Sequence, residues 1–431
     1  MRRSAARPGW TSGISSIRTR LAALAMVPVL AASVVACGDG GDGADGGGGD
    51  AASVTVPNRD PGTVVTTMPL DVDSESVAAS RRIVYASRDA HDRPTVVSGA
   101  VLEPVAEWTG DGPRPLLVIA PGTQGMSDNC SPSMTMHFGT APPPPARHFL
   151  DLGWAVAVTD YEGLGTPGPH TYLVREAQGN AVLDMATATI DLLGGNIGGF
   201  GGDADSGTPV AVFGFSQGGA AAAAAAEMAA DHSPAVNLRA VYAGGVPADL
   251  ESTAEHIDGS SLAGAMGYAM NGLISAYPEI TDDVDAVLSD EGRRFLDVTS
   301  TQCVGATLAE WGRSDSSDFT ADGRTLAEHL GAGASGELRD AVAKQRLGTV
   351  APEMPVFVTH NELDDVIPVT GARRLVRDWC DGGANVTYAE VNEDLGDASH
   401  GLAWQLTVDE AFGWLVSVMG GPDAPGAEGT C

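Results

Sequence analysis

Along the chain, short runs of almost continuous apolar residues alternate with longer stretches of helical character. Pro115 to Ala120 (PLLVIA), Trp154 to Thr159 (WAVAVT), Pro209 to Gly214 (PVAVFG), Leu238 to Ala243 (LRAVYA) and Pro355 to Thr359 (PVFVT) predict strands buried on both faces. Between them, Arg175 to Leu193, Gln217 to Ala230 and Val369 to Cys380 predict helices. Two earlier segments, Arg82 to Ser87 and Thr95 to Leu102, are rich in Val and Thr and broken by Gly, Pro and Asp, as antiparallel edge strands are. Strand alternating with helix predicts an α/β fold, a mostly parallel central sheet covered on both faces.

That rhythm breaks between Val246 and Thr349. No buried-strand run occurs there, while Ser261 to Ser275, Thr281 to Val298 and Thr325 to Gln345 predict helices. A helical stretch between two core strands predicts an inserted cap over residues 246–349, interrupting a core of residues 53–245 and 350–431. Within the cap, Leu262, Met266, Met270 and Leu273 fall at helical spacing on one face, and such a stripe reads first as ordinary packing.

The N-terminus has a different character. Arg2, Arg3, Arg7, Arg18 and Arg20 precede an apolar run from Leu21 to Val35, shorter than a bilayer-spanning helix and of signal-peptide length. The run ends in Val34-Val35-Ala36-Cys37, a lipobox-like pattern that predicts a lipoprotein signal peptide over residues 1–36 and lipidation of Cys37. After Cys37, Gly38 to Asp50 hold no apolar side chain larger than alanine, so residues 37–52 predict a solvated tether. The expected location is extracytoplasmic, either on the cell membrane through the lipid anchor or secreted.

Charge narrows the partners. With 24 Lys and Arg against 56 Asp and Glu, the net charge is −32, and the predicted signal peptide carries five of the arginines and none of the acids. Such a surface repels phosphate backbones and anionic headgroups, which excludes nucleic acid as a partner and leaves membrane attachment to lipid alone. A monomer is expected. Beyond Cys37, the cysteines Cys130, Cys303, Cys380 and Cys431 form an even set in an exported chain, favouring two disulfides with three connectivities open. They lack the close C-x-x-C pairs of a zinc site.

The candidate chemistry starts at Gly214-Phe215-Ser216-Gln217-Gly218. This G-x-S-x-G follows a predicted strand and opens a predicted helix, the context of a nucleophile elbow, where the amide after the serine points at the oxyanion. A serine hydroxyl needs a histidine base held by a carboxylate, and on such a scaffold they follow in the order Ser, acid, His. The loop His360 to Pro368 (HNELDDVIP) follows a buried strand. Asp364 stands four residues before Pro368, the D-x-x-V/I-P spacing of hydrolase acid loops, whereas Asp365 and Glu362 read as solvated charge or a helix cap.

Of nine histidines, His400 alone follows Asp364. It lies in a small-residue loop, Gly396 to Gly401, between a predicted strand Asn385 to Val391 and a final helix Leu402 to Met419. His360 is the rival base, and the other histidines read as surface or packed residues, with His170 a candidate neighbour of the site. The second oxyanion donor is expected from Pro121-Gly122-Thr123-Gln124-Gly125, after PLLVIA, through the amide of Thr123 or Gln124 in concert with that of Gln217.

Asp160 to Gly168 (DYEGLGTPG), followed by His170, Tyr172 and Leu173, resembles a characteristic segment of the secretory lipase family, the fungal lipase A type. Asn129-Cys130-Ser131-Pro132-Ser133 resembles that family's x-C-A-P-S segment, with Ser131 in place of alanine. The HNELDDVIP loop, Cys380 in its DWCDGGANV context and the His400 loop resemble its acid and base regions. One departure is Pro121 before Gly122, where many relatives carry His-Gly. The resemblance implies an α/β hydrolase with a helical cap, acting on carboxylic esters of lipids without metal or organic cofactor. It also implies the pairings Cys130 to Cys303 and Cys380 to Cys431.

The expected function is therefore a lipid-anchored serine esterase or lipase in which Ser216 attacks, His400 moves the proton and Asp364 orients it. The sequence leaves open a catalytically silent, ligand-binding lipoprotein of the same fold, and an acyltransferase or peptidase using the same triad. A lipid or small ester is the expected substrate.

Overall fold

The computed structural model describes residues 58–194, 207–331, 336–420 and 430–431. The expected signal peptide, Cys37 and the tether lie outside the described residues. At one edge of the sheet, β1 (Val64–Pro69), β2 (Val77–Arg88) and β3 (Pro94–Pro104) pair antiparallel. Next in the chain come β4 (Leu116–Ala120), α1 (Pro132–His137), α2 (Pro144–Asp151), β5 (Ala155–Glu162) and α3 (Arg175–Leu193). They are followed by β6 (Val210–Phe215), α4 (Gln217–His232) and β7 (Leu238–Gly244).

Seven helices then intervene among the described residues: α5 (Leu250–Ile257), α6 (Ala265–Ala276), α7 (Thr281–Val287), α8 (Asp290–Thr299), α9 (Val304–Trp311), α10 (Leu326–Leu330) and α11 (Gly336–Lys344). The sheet resumes with β8 (Val356–Asn361), α12 (Val369–Asp381), β9 (Val386–Val391) and α13 (Ser399–Met419). The nine strands are ordered β1-β2-β3-β5-β4-β6-β7-β8-β9, with β5 antiparallel to β3 and parallel pairing from there to β9.

Continuous apolar runs form the central strands because each face meets a helical layer. In β4, Leu116, Val118 and Ala120 join the core shared with α3, α4 and α12, whereas Leu117 and Ile119 join the one built with α2 and α13. Seven consecutive buried alanines, Ala220 to Ala226, let the α4 backbone approach both sheet and α3. Glu227, buried on α4, accepts from Arg175 (2.7 Å), Trp379 Nε1 (2.9 Å) and the Gly348 amide (2.6 Å), so its charge is fully partnered.

The helices between β7 and β8 have an apolar cluster of their own, in which Phe295 stacks on Phe319 at 4.2 Å and meets Trp311 edge-on. Tyr172, Val174, Val366 and Ile367 from the core loops join it. Predicted and observed elements differ most here. The single helix expected over Thr281 to Val298 is two, because Ser289 caps α8 by accepting from the Gly292 amide, and α9 carries no clear periodic signal. Cys130 is bonded to Cys303, and Cys380 to Cys431. Among the described residues no helix is long and apolar enough to cross a membrane.

Candidate active site

Ser216 sits between β6 and α4 with φ at +61°, a left-handed backbone that a serine adopts only where its surroundings enforce it. The enforcement comes from close backbone contact. A Cβ on Gly214 would lie 1.9 Å from the Gly218 carbonyl oxygen, and one on Gly218 would lie 2.0 Å from that of Ala120. The Ser216 amide donates to the Gly244 carbonyl of β7 (2.9 Å), which pins the turn to the neighbouring strand.

Asp364, in the loop after β8, and His400, in the first turn of α13, converge on this serine. His400 Nδ1–H donates to Asp364 Oδ2 at 2.7 Å, which leaves Nε2 to accept from the Ser216 hydroxyl at 2.8 Å. The other Asp364 oxygen accepts from the Val366 and Ile367 amides (2.8 and 2.7 Å). Burial alone would raise the Asp364 pKa, but His400, His360 and the Ile367 amide outweigh it and hold the carboxyl below its ordinary range. The acid is therefore an anion at neutral pH, suited to fix the imidazole tautomer and to stabilise an imidazolium.

His360 is buried, donates through Nε2 to the Ile367 carbonyl (3.0 Å), and lies 3.9 Å from the Asp364 carboxylate. His256 donates to the Asp364 carbonyl (2.8 Å). Asp365 accepts the His400 backbone amide at 2.7 Å. It thereby satisfies a first-turn donor of α13, not of the α12 start that the sequence suggested. His400 is correspondingly helical, not in a loop. The Phe215 ring packs beside the imidazole with centroids 5.3 Å apart.

The Thr123 and Gln217 amides have no protein hydrogen-bond partner among the described residues. Gln217 is the first residue of α4, where the helix N-terminus favours negative charge. Thr123 Oγ1 is 2.7 Å from Tyr172 OH, and Gln217 Nε2 donates to His170 Nε2 at 3.1 Å. Gln124 turns its carbonyl to the Val304 amide, and Gly125 pairs with Cys303, so this loop is tied to α9 next to the Cys130–Cys303 bond. At Ser216 and Gln217 opens a narrow cavity of about 50 Å³. Its walls include Leu262, Met266, Met270 and Leu273, so the stripe that packs into the apolar cluster of these helices, as its periodicity predicts, also borders the cavity. Sequence reasoning also missed the ties from Tyr161, His170 and Tyr172, although DYEGLGTPG marked their neighbourhood.

A parallel sheet with a nucleophile elbow, a following acid loop and a helical base segment defines the α/β hydrolases. Two solved structures show the same fold: Candida antarctica lipase A in its closed state (17% identity, TM-score 0.67, 82% of this chain and 83% of that one) and the rice cell wall degrading esterase LipA from Xanthomonas oryzae (20%, 0.69, 83% and 97%). In sequence the chain is similar to Lipase 1 of Candida albicans, 27% identical over 73% of this chain and 67% of that protein. A secreted triacylglycerol lipase of Malassezia globosa, LIP4, is 25% identical over 83% and 75%. The secretory lipase family profile matches residues 146–421. The chain belongs to the secretory lipase family, and so to the carboxylic ester hydrolases.

Proposed function

We propose that the protein is an exported lipase or esterase that cleaves acylglycerol-type esters through Ser216, His400 and Asp364. The observation that carries this reading is the continuous hydrogen-bonded chain from the strained Ser216 through His400 to an ionised Asp364. His400 Nε2 takes the hydroxyl proton as Oγ attacks the ester carbonyl. The tetrahedral oxyanion is held by the Gln217 and Thr123 amides, and the proton passes to the departing alcohol. Water, activated by the same imidazole, then attacks the acyl-enzyme at the carbonyl carbon, releasing the carboxylic acid and restoring Ser216.

The acyl chain takes the cavity beside Ser216, whose walls are almost wholly apolar. Residues 246–349 act as the cap that supplies Leu262, Met266, Met270 and Leu273 to it. The similarity to secreted triacylglycerol lipases of Malassezia supports a triacylglycerol-like substrate and secretion. Attachment through a lipidated Cys37, and a monomeric state, complete the reading. The test is hydrolysis of an acyl-length series of glycerides and p-nitrophenyl esters by the mature enzyme. Turnover by the wild type and none above background by folded Ser216→Ala is expected. Equal turnover by both would refute the role of Ser216.

A further inference from the structure

The two donors of the proposed oxyanion hole lie on different segments, Thr123 after β4 and Gln217 after β6. A hole of this kind works because its donors are held in place before charge develops, and small misplacement costs rate. Something must therefore set their separation. One other segment reaches both. The DYEGLGTPG stretch leaves β5 and folds back sharply: a Cβ on Gly163 would lie 2.0 Å from the Pro169 carbonyl oxygen, and His170 Nδ1–H donates to the Glu162 carbonyl at 2.8 Å.

This fold-back presents three buried rings to the site. Tyr161 OH donates to the Pro121 carbonyl (2.8 Å), two residues before Thr123. His170 Nε2 accepts from the Gln217 side chain (3.1 Å), and Tyr172 OH bonds Thr123 Oγ1 (2.7 Å). Tyr161 has φ at +70° and Leu173 φ at +57°, strained backbone at either end of the stretch. We infer that Tyr161, His170 and Tyr172 are positioning residues: they clamp the Thr123 loop and the α4 N-terminus into the one spacing that binds the oxyanion.

The clamp carries no charge. Because Nδ1 is committed as donor to Glu162, Nε2 is the bare acceptor, and burial pulls the His170 pKa down to about 4, so it stays one at neutral pH. Burial likewise raises the Tyr161 and Tyr172 phenols well above their ordinary value. Neutral groups orient the hole without adding a field that would compete with the Asp364–His400 pair.

The inference rests on the proposed oxyanion hole, and its experiment separates the two. Tyr172→Phe keeps the ring and loses the hydroxyl. It is expected to lower kcat about tenfold, less than deletion of a donor itself, with KM within twofold. Affinity for a trifluoromethyl ketone, whose adduct on Ser216 bears the oxyanion, should fall by the same factor, while that for an unreactive ether analogue of the ester stays unchanged. Thr123→Val cuts the same bond from the other end and serves if Tyr172→Phe fails to fold, and the double variant should lose no more than the worse single one. A kcat within twofold of wild type, a parallel loss of ether affinity, or losses that multiply would overturn the clamp. Wild-type enzyme without ester turnover would instead defeat the hydrolase reading.

Discussion

The two sides of the site are built from opposite materials. Around Ser216, backbone lies on backbone: Gly214, Gly218 and Gly219 each leave no room for a Cβ, and the alanines of α4 bring the helix close to the sheet. Across the cavity, the wall consists of leucine and methionine side chains on short helices between β7 and β8. The first arrangement admits one geometry, which reaction requires. The second is a volume that can be traded residue by residue, which is what substrate selection requires. Core and cavity therefore answer differently to substitution.

The largest effect belongs to the rigid side. Ser216→Ala and His400→Ala should each lower kcat by about 10⁴-fold or more, because only binding and oxyanion stabilisation remain. Steady-state kinetics on purified variants checks this, with thermal unfolding unchanged; His360→Ala should stay well above both. Next in size is the covalent frame. The Cys380–Cys431 bond closes a loop of 51 residues that includes α13 and His400, and its loss in Cys431→Ser should cost about 3–4 kcal/mol of stability on a chain-entropy argument. Activity should fall with it as α13 loosens, read by denaturant unfolding and by residual turnover at the same temperature.

A slightly smaller effect is pH-dependent. His170 binds a proton in the unfolded chain near its ordinary 6.5 but in the folded one near 4. The unfolded state therefore takes up more protons between these values, and stability falls as pH drops through that window, by about 3 kcal/mol from this residue. Unfolding free energies measured from pH 7 to 4 should fall less steeply in His170→Gln than in the wild type. Smallest, and on the adaptable side, Met270→Phe should shift preference toward shorter acyl chains by about tenfold in relative kcat/KM, since filling an apolar pocket by a few carbons is worth about 1–3 kcal/mol. Turnover of a short ester should be unchanged.

The same contrast explains what could be read from the sequence. The central strands were legible because both faces are buried, which leaves continuous apolar runs. The serine turn was legible because its glycines are required by contacts within one strand-turn-helix unit. Asp364 was legible from its spacing to Pro368, the residue before α12. The start of α13 was not, since flanking glycines read as a loop and the carboxylate that accepts the His400 amide is Asp365, 35 residues away. The cavity was not, because Leu262, Met266, Met270 and Leu273 show one periodicity whether or not the face they share also borders a cavity. The ties from Tyr161, His170 and Tyr172 depend on a fold-back that brings three segments together, which no local pattern displays.

Whether Ser216 is the activated nucleophile is tested most directly by fluorophosphonate labelling of the native protein followed by peptide mass spectrometry. A single adduct on the peptide carrying Ser216, abolished by His400→Ala and by prior denaturation, is the predicted result. Absence of an adduct on native protein, or an adduct on another residue that persists in Ser216→Ala, would contradict it.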